Sequence, residues 1–231
     1  MPPVSSSPAP VAGPVFVRLL ARLADAGAGA GAGAGPPLAA TLAQWIDWPR
    51  AVTLAGALDD RLAVPTEGPA LDEAEQAACL RVRAQLRAEI LDDALLAVPG
   101  LPPDEAAPDF APFRTRYLAH QRAALVATGR LRGRLREMLA ASPRLARLAE
   151  VDAAMEQVLA AREHALLSGV PDLLGHHFDR LRQKASPAAT AAAWLDRFRL
   201  DMRELLFAEL DLRFSPVEAL LAALRTPEPT P

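Results

Sequence analysis

The chain is 231 residues long and has one cysteine, one lysine and one tyrosine. The lone cysteine, Cys79, excludes an intramolecular disulfide framework and a cysteine-rich zinc site. It falls in line with Leu71, Val82, Leu86 and Ile90 on one helical face, so it reads as a small buried apolar residue. Lysine is confined to Lys184, so the basic charge is almost wholly arginine. Together with the excess of Ala, Pro and Gly, this bias reads as a high-GC coding signature and not as phosphate recognition. Aromatic residues make up 5% of the chain against 51% apolar residues in all, so a sizeable core must be filled mainly by Ala and Leu. Close-packed helices suit that composition, because Ala has the best helix propensity. No stretch reaches the ~18 uncharged apolar residues of a membrane span. The opening MPPVSSSPAPVAGPVFVRLL has no basic segment, and Arg18 interrupts its apolar run, so it does not read as a signal peptide. There is no alternating strand pattern and no repeat of fixed period. Gly-x-Gly-x-x-Gly, Walker and Gly-x-Ser-x-Gly motifs are also missing, so neither an enzyme nor a cofactor is expected.

What is present is a succession of helix signals, and the expected fold is all-α: a multi-helix bundle of long antiparallel helices. Residues 1–13 are Pro- and Ser-rich and read as disordered. Residues 14–25 form a short helix with Phe16, Leu19, Leu20 and Leu23 on its apolar side. Residues 26–37, an Ala-Gly alternation closed by Pro36 and Pro37, read as a flexible tether. The bundle domain is expected over 38–225, and 226–231 is a frayed tail. Within the bundle, Leu38–Ile46 and Pro49–Leu62 are short helices whose elbow is flanked by Trp45 and Trp48, expected to pack it. Leu71–Val98 is long and acidic in its first turn, a placement the helix dipole favours. Ala111–Ala141 contains Gly129 and Gly133, which imply a kink near Thr128 or the close passage of another helix. Ser142-Pro143, Pro171-Asp172, Ser186-Pro187 and Ser215-Pro216-Val217-Glu218 each announce a helix start, so helices are expected to end near Ser168, Lys184 and Arg213.

Charges on otherwise apolar faces are the first candidate sites. Leu145, Leu148, Asp152, Met155, Leu159, Arg162 and Leu166 share one face at three- and four-residue steps. Asp152 and Arg162 lie about 15 Å apart along the axis, too far to pair with each other. Each needs a partner elsewhere if buried, because unpaired buried charge is very costly. Glu209 lies on the Leu205–Leu212 side of its helix, and Arg162 is expected to meet Glu209 or Asp201 across an interface. The second feature is Arg114–Arg147, which holds nine arginines against one acid, Glu137. Arg130 and Arg134 fall on one side of the helix, Arg132 and Arg136 on another. They form a candidate basic face for the acidic helix Asp72–Asp93 or for an acidic protein partner. Nucleic acid is the alternative ligand; an acidic overall balance and the lack of interleaved aromatic residues speak against it. His120, His164, His176 and His177 show no metal-ligand spacing, and adjacent His176 and His177 diverge by about 100° around a helix.

Four stretches carry a family resemblance: LAQWIDWPRAVTLAGALD, FAPFRTRYLAHQ, LRGRLREMLAASPRLARLAEVDAAMEQVLAAREHALLSGVPDLLGHHFDRLRQ and WLDRFRLDMRELLFAELDLRFSPVEALLAALR. Over most of Pro14–Arg225 the chain resembles the proteobacterial family known as domain of unknown function 3348. The Ala-Gly tract departs from that pattern, in which a shorter variable linker is usual. The resemblance carries over no catalytic residue. The resemblance implies genes encoded beside MotA/TolQ-like proton-channel proteins and OmpA-like proteins. That implies a cytoplasmic accessory subunit, peripheral to the inner membrane, of an envelope-spanning ion-driven complex. The expected function is therefore a non-enzymatic helical scaffold or adaptor that binds a protein partner and self-associates, without inserting into the membrane.

Overall fold

The structure, a computed structural model, describes residues 15–25, 73–98, 109–143, 145–185 and 191–225, with isolated helical positions at Val52, Ala55, Gly56 and Leu58. Residues 1–13, the 26–37 tract, Trp45, Trp48 and residues 226–231 lie outside them. The elements are α1 (Val15–Asp25), α2 (Glu73–Leu91), a single 3-10 turn (Ala94–Leu96), α3 (Ala111–Ala140), α4 (Ala146–Ser168), α5 (Val170–Lys184) and α6 (Ala191–Arg225). No strand occurs among the described residues, and the fold is all-α. No helix among them is long and apolar enough to cross a membrane.

Paired residues give the direction of each packing. Glu75 meets Arg134 and Asp93 meets Arg116, so α2 and α3 are antiparallel. Arg132 meets Asp152 while Gln121 reaches the Leu167 carbonyl, so α3 and α4 are antiparallel as well. Across the core, however, Phe113 meets Phe198 and Tyr117 meets Glu209, so α3 and α6 run in the same direction where they cross.

The few aromatic residues are concentrated. Phe110, Phe113, Phe178 and Phe198 meet where α3, α5 and α6 converge. Phe178 and Phe198 have centroids 5.0 Å apart at 88°, and Phe113 and Phe198 lie 5.2 Å apart at 83°. Trp194 stands edge-on to Phe178 at 5.0 Å. These are the edge-to-face arrangements that ring quadrupoles favour. Gly175 belongs to this arrangement: a Cβ there would stand 3.0 Å from the Phe110 ring. Its cost in helix propensity, about 1 kcal/mol, permits that ring to seat against α5.

Three helix boundaries differ from expectation. α2 stops at Leu91 instead of continuing to Val98, because the Asp93 side chain accepts the Leu95 N–H and caps the 3-10 turn. α4 begins at Ala146, and Ser142 contributes its carbonyl to Leu145 and Ala146 instead of a side-chain cap. α6 does not end near Arg213; it runs through Pro216 to Arg225. Pro216 removes one ladder hydrogen bond. Phe214, Val217, Leu220 and Leu221 are all buried on the continuing stripe, and their burial offsets that loss. Gly129 and Gly133 also depart from the expected close passage. α3 is continuous through Thr128, and a methyl added at either glycine meets no atom of the described residues within 4 Å.

Truncating the ring at the centre of the aromatic cluster creates a cavity, so Phe198→Ala should destabilise by about 3–5 kcal/mol. Leu118→Ala on the exposed side of α3 should change stability by less than about 0.5 kcal/mol. Urea unfolding followed by circular dichroism separates the two by their midpoints.

Candidate functional site

Among the described residues four carboxylates are buried: Glu209, Asp201, Glu75 and Asp93. Glu209 sits on α6, 2% exposed. The Tyr117 hydroxyl donates to its Oε2 at 2.5 Å, and Gln121 Nε2 donates to the same oxygen at 3.4 Å. Arg213 supplies the cation, with Nε 2.9 Å and Nη2 2.8 Å from Oε1. Its Nη1 continues to Glu163 on α4 at 3.0 Å. Burial, followed by the adjacent Glu209 charge, raises the Tyr117 pKa well above its ordinary value. The hydroxyl therefore remains a donor.

Asp201 lies at the α5–α6 contact. His177 Nε2 stands 2.9 Å from Oδ2, and Arg197 Nη2 stands 2.8 Å from Oδ1. Arg22 of α1 approaches within 3.8 Å. Burial pushes the carboxyl upward, but the His177 hydrogen bond and the Arg197 charge outweigh it, and the net direction is down. An ionised carboxylate only accepts, so His177 Nε2 carries the hydrogen. His177 Nδ1 is buried without a hydrogen-bond partner among the described residues.

The expected pairing of Arg162 with Glu209 or Asp201 does not occur. Glu209 is paired with Arg213 instead, and Asp201 with Arg197 and the His177 Nε2–H. Arg162 itself is exposed, so the burial that called for such a partner is not met. Asp152 pairs with α3 instead. Arg132 grips it bidentately, Nε to Oδ2 at 2.8 Å and Nη2 to Oδ1 at 2.7 Å. Arg136 adds a contact to Oδ2 at 3.3 Å, and both arginines reach Glu156.

This arrangement dismantles most of the candidate basic face. Arg132 and Arg136 are held by α4, and Arg134 Nη2 stands 2.6 Å from Glu75 of α2. Of the four, Arg130 is exposed and makes no ion pair among the described residues. Arg116 and His120 likewise turn to Asp93, at 3.1 and 2.8 Å. The arginines do meet the acidic helix, at Glu75 and just past its end at Asp93. His176 and His164 are exposed. No group of three or more His, Cys, Asp or Glu suited to a metal ion gathers among the described residues.

Two hollows accompany these clusters. One of about 10 Å³ lies between Leu86, His120, Gln121, Leu206 and Glu209, room for a single water-sized guest. The other, about 480 Å³, is an open depression over Leu95, Pro112, Thr115, Arg116 and Ala119. The exposed side of α3 carries apolar residues among its arginines: Leu118 is 41%, Leu125 52% and Val126 45% exposed. Leu118, Leu125 and Gly129 share one helical face. On α4, at the level where Gln121 meets the Leu167 carbonyl, Leu166 is 58% exposed.

A family described as "Protein of unknown function (DUF3348)" matches residues 4–226. The chain belongs to this family. No match is found among curated proteins or among solved structures.

Sequence reasoning missed Tyr117, Gln121, His177 and Arg213 as members of the buried networks. Tyr117 carried a usable signal: a buried tyrosine needs a partner for its hydroxyl, and Glu209 was already placed on an inward face.

Two outcomes follow from this geometry. The carboxyl of Asp201 is depressed on folding, so its stabilisation is complete above the unfolded value of about 3.9. It is lost as pH falls through the lower folded value. Asp201→Asn should lower stability at pH 7 by roughly 2 kcal/mol and flatten the acid limb of a stability–pH profile from chemical denaturation. Burial, then the Glu75 charge, raises the Cys79 thiol, so Ellman's reagent should label it only at the rate at which the chain opens.

Proposed function

We propose that this chain is a non-enzymatic helical adaptor that engages a protein partner through the open side of α3. One observation carries the reading. Leu118, Leu125 and Val126 are exposed around the exposed Arg122 on a 30-residue helix whose inner side is buried. An exposed apolar patch of this kind marks an interaction site more often than chance exposure does. Gly129 supports it, because a partner's backbone can approach closely where no Cβ projects. A second copy of the chain is one occupant this face can take, which gives self-association a location. The family resemblance favours a cytoplasmic subunit of an ion-driven envelope complex, with an inner-membrane proton-channel-type protein as the partner. The nucleic-acid reading, which used the whole Arg114–Arg147 face, keeps less support, because five of its nine arginines pair with carboxylates of the chain itself.

The test is a tagged pull-down from detergent-solubilised cells, with and without nuclease, comparing the unaltered chain with Leu125→Asp. The unaltered chain should retain an inner-membrane channel subunit or its own second copy after nuclease treatment. Leu125→Asp should lose it by about tenfold or more, because a charge buried at an interface is left unpaired. Partners that vanish with nuclease and are indifferent to Leu125 would overturn the adaptor reading.

A further inference from the structure

Of the seven arginines of α3, five meet carboxylates of the chain: Arg114, Arg116, Arg132, Arg134 and Arg136. Arg122 and Arg130 are exposed and meet none among the described residues. The two belong to one ridge. Leu118, Arg122, Val126 and Arg130 follow at four-residue steps and so form a single row on the helix surface. All four are exposed, and the row ends where Arg134, the next step, turns to Glu75. Apolar and cationic side chains therefore alternate along about 18 Å of α3.

The neighbouring row is Leu125, Gly129 and Gly133, and a shallow groove runs between the two rows. Its floor lacks a Cβ at both glycines, and no atom of the described residues lies within 4 Å of where either would stand. Both glycines lower helix propensity, and no described residue packs into the space they leave. A groove beside a four-step row is what the ridge of a second helix fills when two helices cross at about −50°. Charge selects which helix. α3 has no acid before Glu137, about two turns beyond Arg130. A two-fold contact of this face with its own copy would set Arg122 and Arg130 against cations, which disfavours that occupant. A lipid surface suits it less as well, because cations interrupt the apolar row that an interfacial helix keeps continuous.

We infer that the open face of α3 receives an acidic amphipathic helix of a partner protein, its carboxylates on Arg122 and Arg130 and its apolar ridge over Gly129 and Gly133. This rests on the adaptor reading above and supplies the chemistry of the partner. Arg122 and Arg130 lie eight positions apart, about 12 Å along the axis. The partner helix therefore carries two carboxylates about seven or eight positions apart. A leucine or similar large apolar residue between them enters the groove, the spacing of anchors that helix-in-groove recognition reads. Leu118 and Leu125 flank Arg122 at helical spacing, so a carboxylate seated there is partly shielded from water and its pair is stronger than a fully exposed one.

The probes are three labelled, end-capped, Ala-based peptides of about 18 residues, long enough to be helical. They share one leucine row and carry Glu, Gln or Lys at the two charged positions. In fluorescence anisotropy against the full chain, the Glu peptide should bind saturably at 1:1, about tenfold or more tighter than the Gln peptide, and the Lys peptide should not bind. Arg122→Glu with Arg130→Glu should reverse that order and keep the urea midpoint, because neither arginine has a carboxylate partner among the described residues. Should that variant not fold, Arg122→Gln with Arg130→Gln decides, and should erase the preference for Glu over Gln. Gly129→Leu should weaken the Glu peptide about tenfold while leaving the urea midpoint unchanged or higher, the opposite of what a structural glycine would give. No saturable binding of the Glu peptide below about 1 mM, equal binding of all three peptides, or indifference to the charge reversal overturns the inference. Binding of phosphatidylglycerol vesicles or duplex DNA in place of the Glu peptide overturns it too. The pull-down separates it from the adaptor reading. A partner lost with Leu125→Asp but retained by the charge-reversed chain sinks the acidic helix and leaves the adaptor standing.

Discussion

Among its described residues this fold must keep four carboxylates away from water, and that constraint decides where many of its arginines go. Glu209, Asp201, Glu75 and Asp93 are each less than 9% exposed. An uncompensated charge at such depth costs several kcal/mol, so each carboxylate draws in donors: Tyr117 and Arg213, His177 and Arg197, Arg134, and Arg116 with His120. Asp152, less deeply placed, captures Arg132 and Arg136. Much of an arginine-rich segment that looks like a ligand surface in the sequence becomes, after folding, the counter-charge of α2 with the turn that follows it and of α4.

The helices were legible because apolar residues recur at helical spacing and because caps and prolines punctuate them. Their partners were only partly legible. The acidic composition of Asp72–Asp93 indicated where arginines of α3 would turn, and Glu75 and Asp93 receive Arg134 and Arg116. The need of Asp152 for a cation was readable from its face, but the identity of that cation depends on how α4 folds back on α3, which no local pattern encodes. Arg162 looked equivalent to Asp152 by periodicity. It differs in depth, because it lies toward the end of α4 where Ala160 to Leu166 are all exposed. The Ser215-Pro216-Val217-Glu218 stretch fits a helix start and a helix interior equally well. The choice is made by Phe214 and Val217, which need the core that an unbroken α6 gives them.

The exposed side of α3 and the seat of α1 are opposite solutions to one problem. A helix with an apolar stripe must cover it. α1 covers its own by packing against α5 and α6. α3 covers its buried side with α2, α4 and α6 and still leaves Leu118, Leu125 and Val126 in water. A face of that kind persists in a folded chain without penalty to the core, which distinguishes it from a packing defect: Phe113, Tyr117, Leu135 and Leu139 on the inner side are all 1% exposed or less.

Buried ion pairs are weak evidence for stability, since well-packed apolar residues often do as well. Their distribution here argues for a different use. An Ala/Leu interface with few aromatic residues offers many nearly equivalent packings, because small side chains discriminate poorly between registers. Polar pairs mark the interfaces one by one: Glu75–Arg134 for α2 on α3, Arg83–Asp211 for α2 on α6, Arg132–Asp152 for α3 on α4, Tyr117–Glu209 for α3 on α6, and His177–Asp201 for α5 on α6. A slip by one helical turn, about 5.4 Å, would strand a charge or a hydroxyl at each of the buried ones. The same-direction crossing of α3 and α6 needs such a marker most, because no short loop joins the two helices to impose it. Tyr117 and Glu209 supply it inside the contact.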